Sequence, residues 1–283
     1  MKTVKIAGVP EHFNLPWQMC IENGEFDKLG IDLQWTDIPE GTGKMCQMLR
    51  NSQIDIAVIL TEGIVRDIVA GNNCSIVQVY VESPLIWGIH VGAQSKYNSL
   101  DDLKNTKIAI SRYGSGSHLM AFVNAKNQDW DTEKLQFEIV NTIDAAVESL
   151  TNGTADYFMW ERFMTKPLVD KGVFRRIADC PTPWPSFVIA VRNEFLETNA
   201  QSVALILETI NNTTAEFKYI PSIDRTIASK FNQKQEDVKE WLSLTKWSQQ
   251  PLQEKMLNNI QNQLFDLKII DKKGTFADLV KAV

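Results

Sequence analysis

The sequence predicts an α/β protein of two similar lobes, each a mostly parallel sheet flanked by helices, with a block of helices at its C-terminal end. Three observations predict this. Short apolar runs alternate with helix-periodic stretches over the first two thirds of the chain, as in parallel strands joined by helical crossovers. Blocks of sequence recur in order: Lys5-Ile6-Ala7 returns 102 residues later as Lys107-Ile108-Ala109, and Leu49-Arg50-Asn51 with Asp55 returns after 101 as Leu150-Thr151-Asn152 with Asp156. Residues 31–35 are echoed between them by 135–139. Past Val191 the strand pattern stops and amphipathic helices take over.

Each element follows from local chemistry. Residues 4–7 form an apolar strand, and 13–28 carry helical spacing closed by Leu29-Gly30, glycine being common just past a helix end. Residues 31–35 alternate as a strand, 39–43 turn, and 44–50 form a short helix. Asn51-Ser52 turns into a strand over 54–60, and the second lobe repeats the series from Lys107 to Trp160. Residues 85–91 and 187–191, apolar and β-branched, read as strands crossing between the lobes. Residues 194–218 form a long helix, Pro221-Ser222 opens the next, and Pro251 reads as a first-turn proline of a helix over 252–265.

Composition narrows the function. The 283 residues carry 29 Lys and Arg against 35 Asp and Glu, a net charge of −6, with 44% hydrophobic and 23% charged residues. That balance fits a packed domain rather than a disordered one, and it lacks the basic excess that nucleic-acid binding needs. No apolar run approaches a membrane span, so no membrane insertion is expected. The opening residues Met1–Gly8 read as a strand rather than a signal peptide, which points to the cytoplasm; a leader upstream of Met1 would make it an exported protein instead. Cys20, Cys46, Cys74 and Cys180 are too far apart for a CxxC motif and read as reduced, mostly buried thiols.

Asn23-Gly24-Glu25-Phe26-Asp27-Lys28-Leu29-Gly30-Ile31-Asp32-Leu33 resembles a hallmark of type II periplasmic solute-binding proteins. The branch it resembles comprises alkanesulfonate, taurine and nitrate binders and the thiamine pyrimidine synthases. Leu100-Asp101-Asp102-Leu103-Lys104 followed by Lys107-Ile108-Ala109-Ile110 is similar to that family's entry to its second lobe, and the two Asn-x-x-x-Asp segments resemble its turns. The resemblance covers residues 3–195, and the C-terminal helices more loosely. It implies a first lobe of residues 1–88 and 188–283, a second of 89–187, hinge strands near 85–91 and 187–191, and a small-molecule ligand held between lobes that close by a hinge. It also implies a transporter partner if the protein is exported. The pyrimidine synthases carry a cysteine-rich motif and a cofactor-bearing lysine; this chain has neither, with Thr61 where the lysine would stand.

Ligands of open α/β sheets sit beyond the C-terminal ends of the strands. That rule selects Pro10, Glu11, His12 and Phe13 after the first strand, Thr42 and Gly43 after the second, and Thr61 and Glu62 after the third. In the second lobe it selects Arg112, Ser115, Gly116, Ser117 and His118, then Trp160 and Glu161. Trp184, between two prolines near the return crossing, joins them. Free N–H groups at a helix start, with hydroxyls and glycines beside them, suit an oxyanion. Trp160 suits a flat ring. His90 reads as structural.

Gly41-Thr42-Gly43-Lys44 is not a P-loop, because Ile38 stands where its first glycine belongs. Gly114-x-Gly116 lacks the third glycine of a dinucleotide fingerprint. With three histidines there is no metal motif, and no nucleophile elbow is present. No cofactor, no metal and a monomer are expected. The leading expectation is binding of a small solute without catalysis. The alternatives are a cytosolic enzyme on the same fold, with Glu11, His12, Glu62 and Glu161 as acid–base groups, and a ligand-sensing module read by a partner protein.

Overall fold

The structure, a computed structural model, describes residues 1–283. The chain runs through β1 (Lys2–Gly8), α1 (Leu15–Glu22), β2 (Ile31–Asp37), α2 (Thr42–Arg50), β3 (Ile56–Leu60), α3 (Thr61–Val69) and β4 (Cys74–Val81). Next come β5 (Ile86–Gly92), β6 (Lys107–Ile110), α4 (Gly116–Asn127), β7 (Gln136–Ile139), α5 (Ile143–Asn152), β8 (Tyr157–Glu161), α6 (Lys166–Asp170) and β9 (Phe174–Pro181). The last part holds β10 (Phe187–Arg192), α7 (Asn193–Glu216), α8 (Ile223–Phe231), α9 (Gln235–Leu244), α10 (Glu254–Asp266) and α11 (Phe276–Leu279).

Two compact units result: residues 1–83 with 184–283, and residues 84–183. The first holds a five-stranded sheet in the order β2-β1-β3-β10-β4, the second one in the order β7-β6-β8-β5-β9. In each, one strand runs against its neighbours: β10 is antiparallel to β3 and β4, and β5 to β8 and β9. The remaining pairings are parallel. The repeat has a structural cause. Asp55 accepts from the Lys5 backbone N–H at 3.0 Å while its own N–H donates to the Lys5 carbonyl at 2.8 Å. Asp156 does the same to Lys107, at 2.8 Å in both directions. Each aspartate thus clips the start of one strand to its parallel neighbour, at the middle of β1 in the first unit and at the first residue of β6 in the second.

Four details depart from the sequence reading. The strands at residues 85–91 and 187–191 exist, but neither is shared: β5 pairs only within the second sheet and β10 only within the first. The chain passes between units at residues 83–84 and 183–184, a few residues before the boundaries read from sequence. The helix read over 13–28 is a turn at His12–Asn14, α1, and a further turn at Asp27–Leu29. Gly24, at φ +65°, breaks it, and the return packs Phe26 against Trp17 with ring centroids 6.3 Å apart. Pro251 lies before α10 rather than in its first turn. The segment ahead of it is pinned to β4: Val79 N–H donates to the Gln250 carbonyl at 2.9 Å, Ser248 N–H to Tyr80 at 2.9 Å, and Glu82 N–H to Lys246 at 2.8 Å. The C-terminal region thereby covers the open edge of β4, whose eight residues are all buried. The four cysteines are free and buried. No helix is long and apolar enough to cross a membrane.

Candidate functional site

In the first unit, β1, β2 and β3 are parallel and end at one edge, where α2 and α3 begin. Gly8 closes β1, and a Cβ there would collide with the Trp35 ring and Asn14. Pro10 beyond it is exposed, and Glu11 is half-buried with its carboxyl pushed up to about 7 by desolvation. His12 is wholly buried. Its ring stacks on Trp241 of α9 at 4.1 Å and meets Phe13 edge-on at 5.0 Å, with Phe231 at 5.7 Å. Burial drives its pKa down to about 3, so the imidazole is neutral, and neither ring nitrogen has a hydrogen-bond partner. Phe13 is core: its ring packs on Phe187 at 5.1 Å and its carbonyl accepts from the Tyr80 hydroxyl at 2.8 Å.

Thr42 opens α2 after Gly41, which sits at φ +76°, and Gly43 follows, exposed. Thr61 opens α3; its N–H donates to the Ser186 carbonyl at 3.1 Å. A Cβ at Gly63 would run into the Thr42 methyl, so the first turns of α2 and α3 touch there. Glu62 is 2% exposed. One carboxyl oxygen accepts from the Trp184 indole N–H at 2.8 Å; the other has no partner. Desolvation raises its pKa to about 7, against the opposing pull of its own N–H, Trp184 and Arg66. The Thr42 and Thr61 hydroxyls are buried and unpartnered as well.

In the second unit the corresponding edge lies beyond β6 and β8. Gly114, at φ +76°, turns the chain into α4, and Ser115 caps it by accepting from the His118 N–H at 3.3 Å. Gly116 is the first residue of α4. Ser117, 1% exposed, accepts from the Ser111 N–H at 3.0 Å and lies 3.1 Å from the Ser115 hydroxyl. His118 is half-buried; its Nδ1 accepts from the Gly114 N–H at 3.1 Å, and its ring meets Tyr113, Phe122 and Phe137 edge-on. Arg112 is half-buried. Trp160 stacks on Phe158 at 5.4 Å and meets Trp87 edge-on at 6.2 Å, leaving part of its ring exposed. Glu161 is buried and accepts from the Met164 N–H at 2.7 Å. His90, inside β5, uses both ring nitrogens, toward the Phe158 carbonyl at 3.3 Å and the Thr165 hydroxyl at 2.9 Å.

The structure therefore gathers the sequence-selected residues on one edge of each sheet. Ser117 is committed to joining the end of β6 to the start of α4, so a bulky residue there tests folding rather than ligand contact. Sequence reading missed Trp241, which sandwiches His12, and Trp87, whose buried indole N–H is unpartnered. Trp241 lies 229 residues from His12, and no local signal joins them. A cavity of about 610 Å³ opens at the opposite end of the second sheet, around Gly92, Tyr97, Leu150, Asp156 and Gly172. Its prominent polar pair is already engaged, Tyr97 donating to Asp156 at 2.8 Å.

The model of the Ca3427-like periplasmic-binding-protein family matches residues 87–180, the heart of the second unit. The CA3427 gene product of Candida albicans, described as exhibiting the generic periplasmic binding protein fold, is 26% identical. It superposes with a TM-score of 0.90 over 99% of this chain and 96% of its own. The alkanesulfonate-binding protein SsuA of Xanthomonas axonopodis pv. citri, bound to MOPS, is 14% identical with a TM-score of 0.84 over 100% of this chain and 99% of its own. The aliphatic sulphonate-binding protein SsuA of Escherichia coli is 15% identical with a TM-score of 0.78 over 99% and 92%. No curated relative matches the sequence. The chain has the type II periplasmic-binding-protein fold, and the two SsuA proteins that share it are named for binding sulfonates.

Proposed function

We propose that the protein binds one small solute through the strand-end loops of both lobes, with hinge closure about residues 83–84 and 183–184 and without chemistry. The observation that carries this reading is the duplication of the edge. In each unit, parallel strands deliver helix starts and polar side chains to their C-terminal ends, where open α/β sheets take ligands. In the first unit several of those polar atoms are buried with no protein partner, which a folded chain tolerates where a ligand completes them. The solute-binding relatives of the same fold support the reading. The alkanesulfonate ligand of one of them makes sulfonates part of the test set.

A thermal-shift screen tests it, with sulfonates, nitrate, phosphate, pyrimidines and thiamine precursors. A solute at 100 times its dissociation constant adds about 2.7 kcal/mol to the folded state. At least one class raises Tm and is recovered unchanged after long incubation. Absence of any shift across the panel sinks the reading; conversion of the solute replaces it with the enzyme alternative. The raised pKa of Glu62, about 7, is the observation favouring that alternative, since it suits a general acid or base near neutrality.

A further inference from the structure

We infer that the edge of the first lobe, at Thr42, Thr61 and Glu62, takes a neutral or cationic N–H-bearing group of the solute and rejects an anionic one. This rests on the binding role proposed above and specifies its ligand. Three buried polar atoms from two helix starts carry it. The Thr42 and Thr61 hydroxyls and one Glu62 oxygen have no partner, although Thr61 and Glu62 are 0% and 2% exposed. The contact between the Thr42 methyl and Gly63 brings the two starts together, and the Trp184 indole fixes the carboxyl through its other oxygen. An unmade hydrogen bond at a buried carboxyl or hydroxyl costs about 1–3 kcal/mol, so three of them on two helix starts that touch favour a partner that completes them.

The chemistry of that partner follows from the donor set. Two hydroxyls and a carboxyl offer acceptors and rotatable donors and no fixed positive charge. Lys44 of α2 is exposed and turned to Gln47 at 3.5 Å, and Arg66, one turn further along α3, attracts the Glu62 carboxylate itself. The free N–H groups of the two helix starts favour an anion. Above pH 7 Glu62, in the first turn of α3, supplies that negative charge, and its unpartnered oxygen then repels a second one. An amide, amidine or amino-heterocycle satisfies the carboxyl by donating and the hydroxyls in either direction. The burial that lifts the Glu62 pKa is what a nearby N–H donor or cation would offset.

Three probes with one ring and different head groups test this: benzamidine, benzamide and benzoate, titrated into the parent and Glu62→Gln at pH 8. Benzamidine and benzamide bind the parent at least about tenfold more tightly than benzoate, and Glu62→Gln removes the benzamidine preference. Benzoate binding as tightly as the other two, or an unchanged preference in Glu62→Gln, overturns the inference. So does silence toward all three probes in a protein that responds to the wider solute screen; silence in that screen as well would instead defeat the binding role. A second variant needs no ligand. Thr61→Val keeps the side-chain shape and removes an unpartnered hydroxyl, so its free-protein Tm equals or exceeds the parent's. A fall of more than about 5 °C would show that the hydroxyl is bonded within the fold and would overturn the inference.

Discussion

The two lobes repeat one architecture yet finish their strand-end edges differently. In the second lobe the hydroxyls of Ser111, Ser115 and Ser117 bond one another and the backbone, and His118 and Glu161 each accept a backbone N–H. In the first lobe the equivalent edge leaves Thr42, Thr61, one oxygen of Glu62 and both nitrogens of His12 unpartnered. Similar backbones thus yield one edge whose hydroxyls are bonded within the fold, with the Trp87 indole N–H its unpartnered group, and one whose hydroxyls are not. The satisfied edge supports its own fold; the unsatisfied edge sacrifices stability at positions where a solute would repay it, the usual relation between binding sites and fold stability.

The largest expected effect sharpens this contrast through pH. Glu62 has a folded pKa of about 7 against its ordinary 4.5. Between those values the folded protein holds the proton more tightly than the unfolded chain, so stability falls as pH rises across that window. At roughly 1.4 kcal/mol per pH unit the loss reaches at most about 3 kcal/mol. Glu11, raised to about 7 by the same cause, acts in the same direction. His12 acts oppositely: its pKa of about 3 against 6.5 makes stability rise with pH between those values, and His90, lowered to about 4, adds to this from the second lobe. Denaturant melts at pH 4.5 to 8 therefore show Glu62→Gln gaining on the parent up to pH 7 and then running parallel. A constant gap between the two would break the contrast.

The next effect is a matched pair of hydroxyl deletions. Ser117→Ala leaves the Ser111 N–H without its acceptor and costs about 1–3 kcal/mol. Thr61→Val in the first lobe costs nothing by the same melts. Equal losses would mean that both edges are internally bonded. The smallest effect compares two imidazoles. His12→Phe fills an aromatic sandwich with no bond to lose and changes stability by less than about 1 kcal/mol in either direction. His118→Phe removes the acceptor of the Gly114 N–H and costs about 1 kcal/mol. The reverse order in thermal melts would contradict the assignment of the satisfied edge to the second lobe.

Much of this was legible beforehand, for physical reasons. The repeat at Lys5-Asp55 and Lys107-Asp156 shows in sequence because each aspartate must follow its turn and reach the backbone of the same parallel strand. The helices that open near Lys44 and His118 show because a glycine-rich turn precedes each, whereas α3, which begins at Thr61 directly after β3 with no such turn, went unread. What stayed hidden depends on partners distant in the chain. The Trp184 bond to Glu62 spans 122 residues, and the Trp241 stack on His12 joins a C-terminal helix to the end of β1. The difference between Ser117 and Thr61 was equally invisible, since both are hydroxyls in a first helical turn. Only the path of the preceding strand decides that one meets the Ser111 N–H and the other meets nothing.

The claim that one solute engages both lobes is tested most directly by calorimetric titration of the first solute found by screening into the parent, Glu62→Gln and Ser115→Ala. Each variant changes one lobe alone. The account predicts that both variants fold with Tm within a few degrees of the parent and that each weakens the solute by about tenfold or more. Weakening in one variant with parental affinity in the other would place the solute on a single lobe and contradict it.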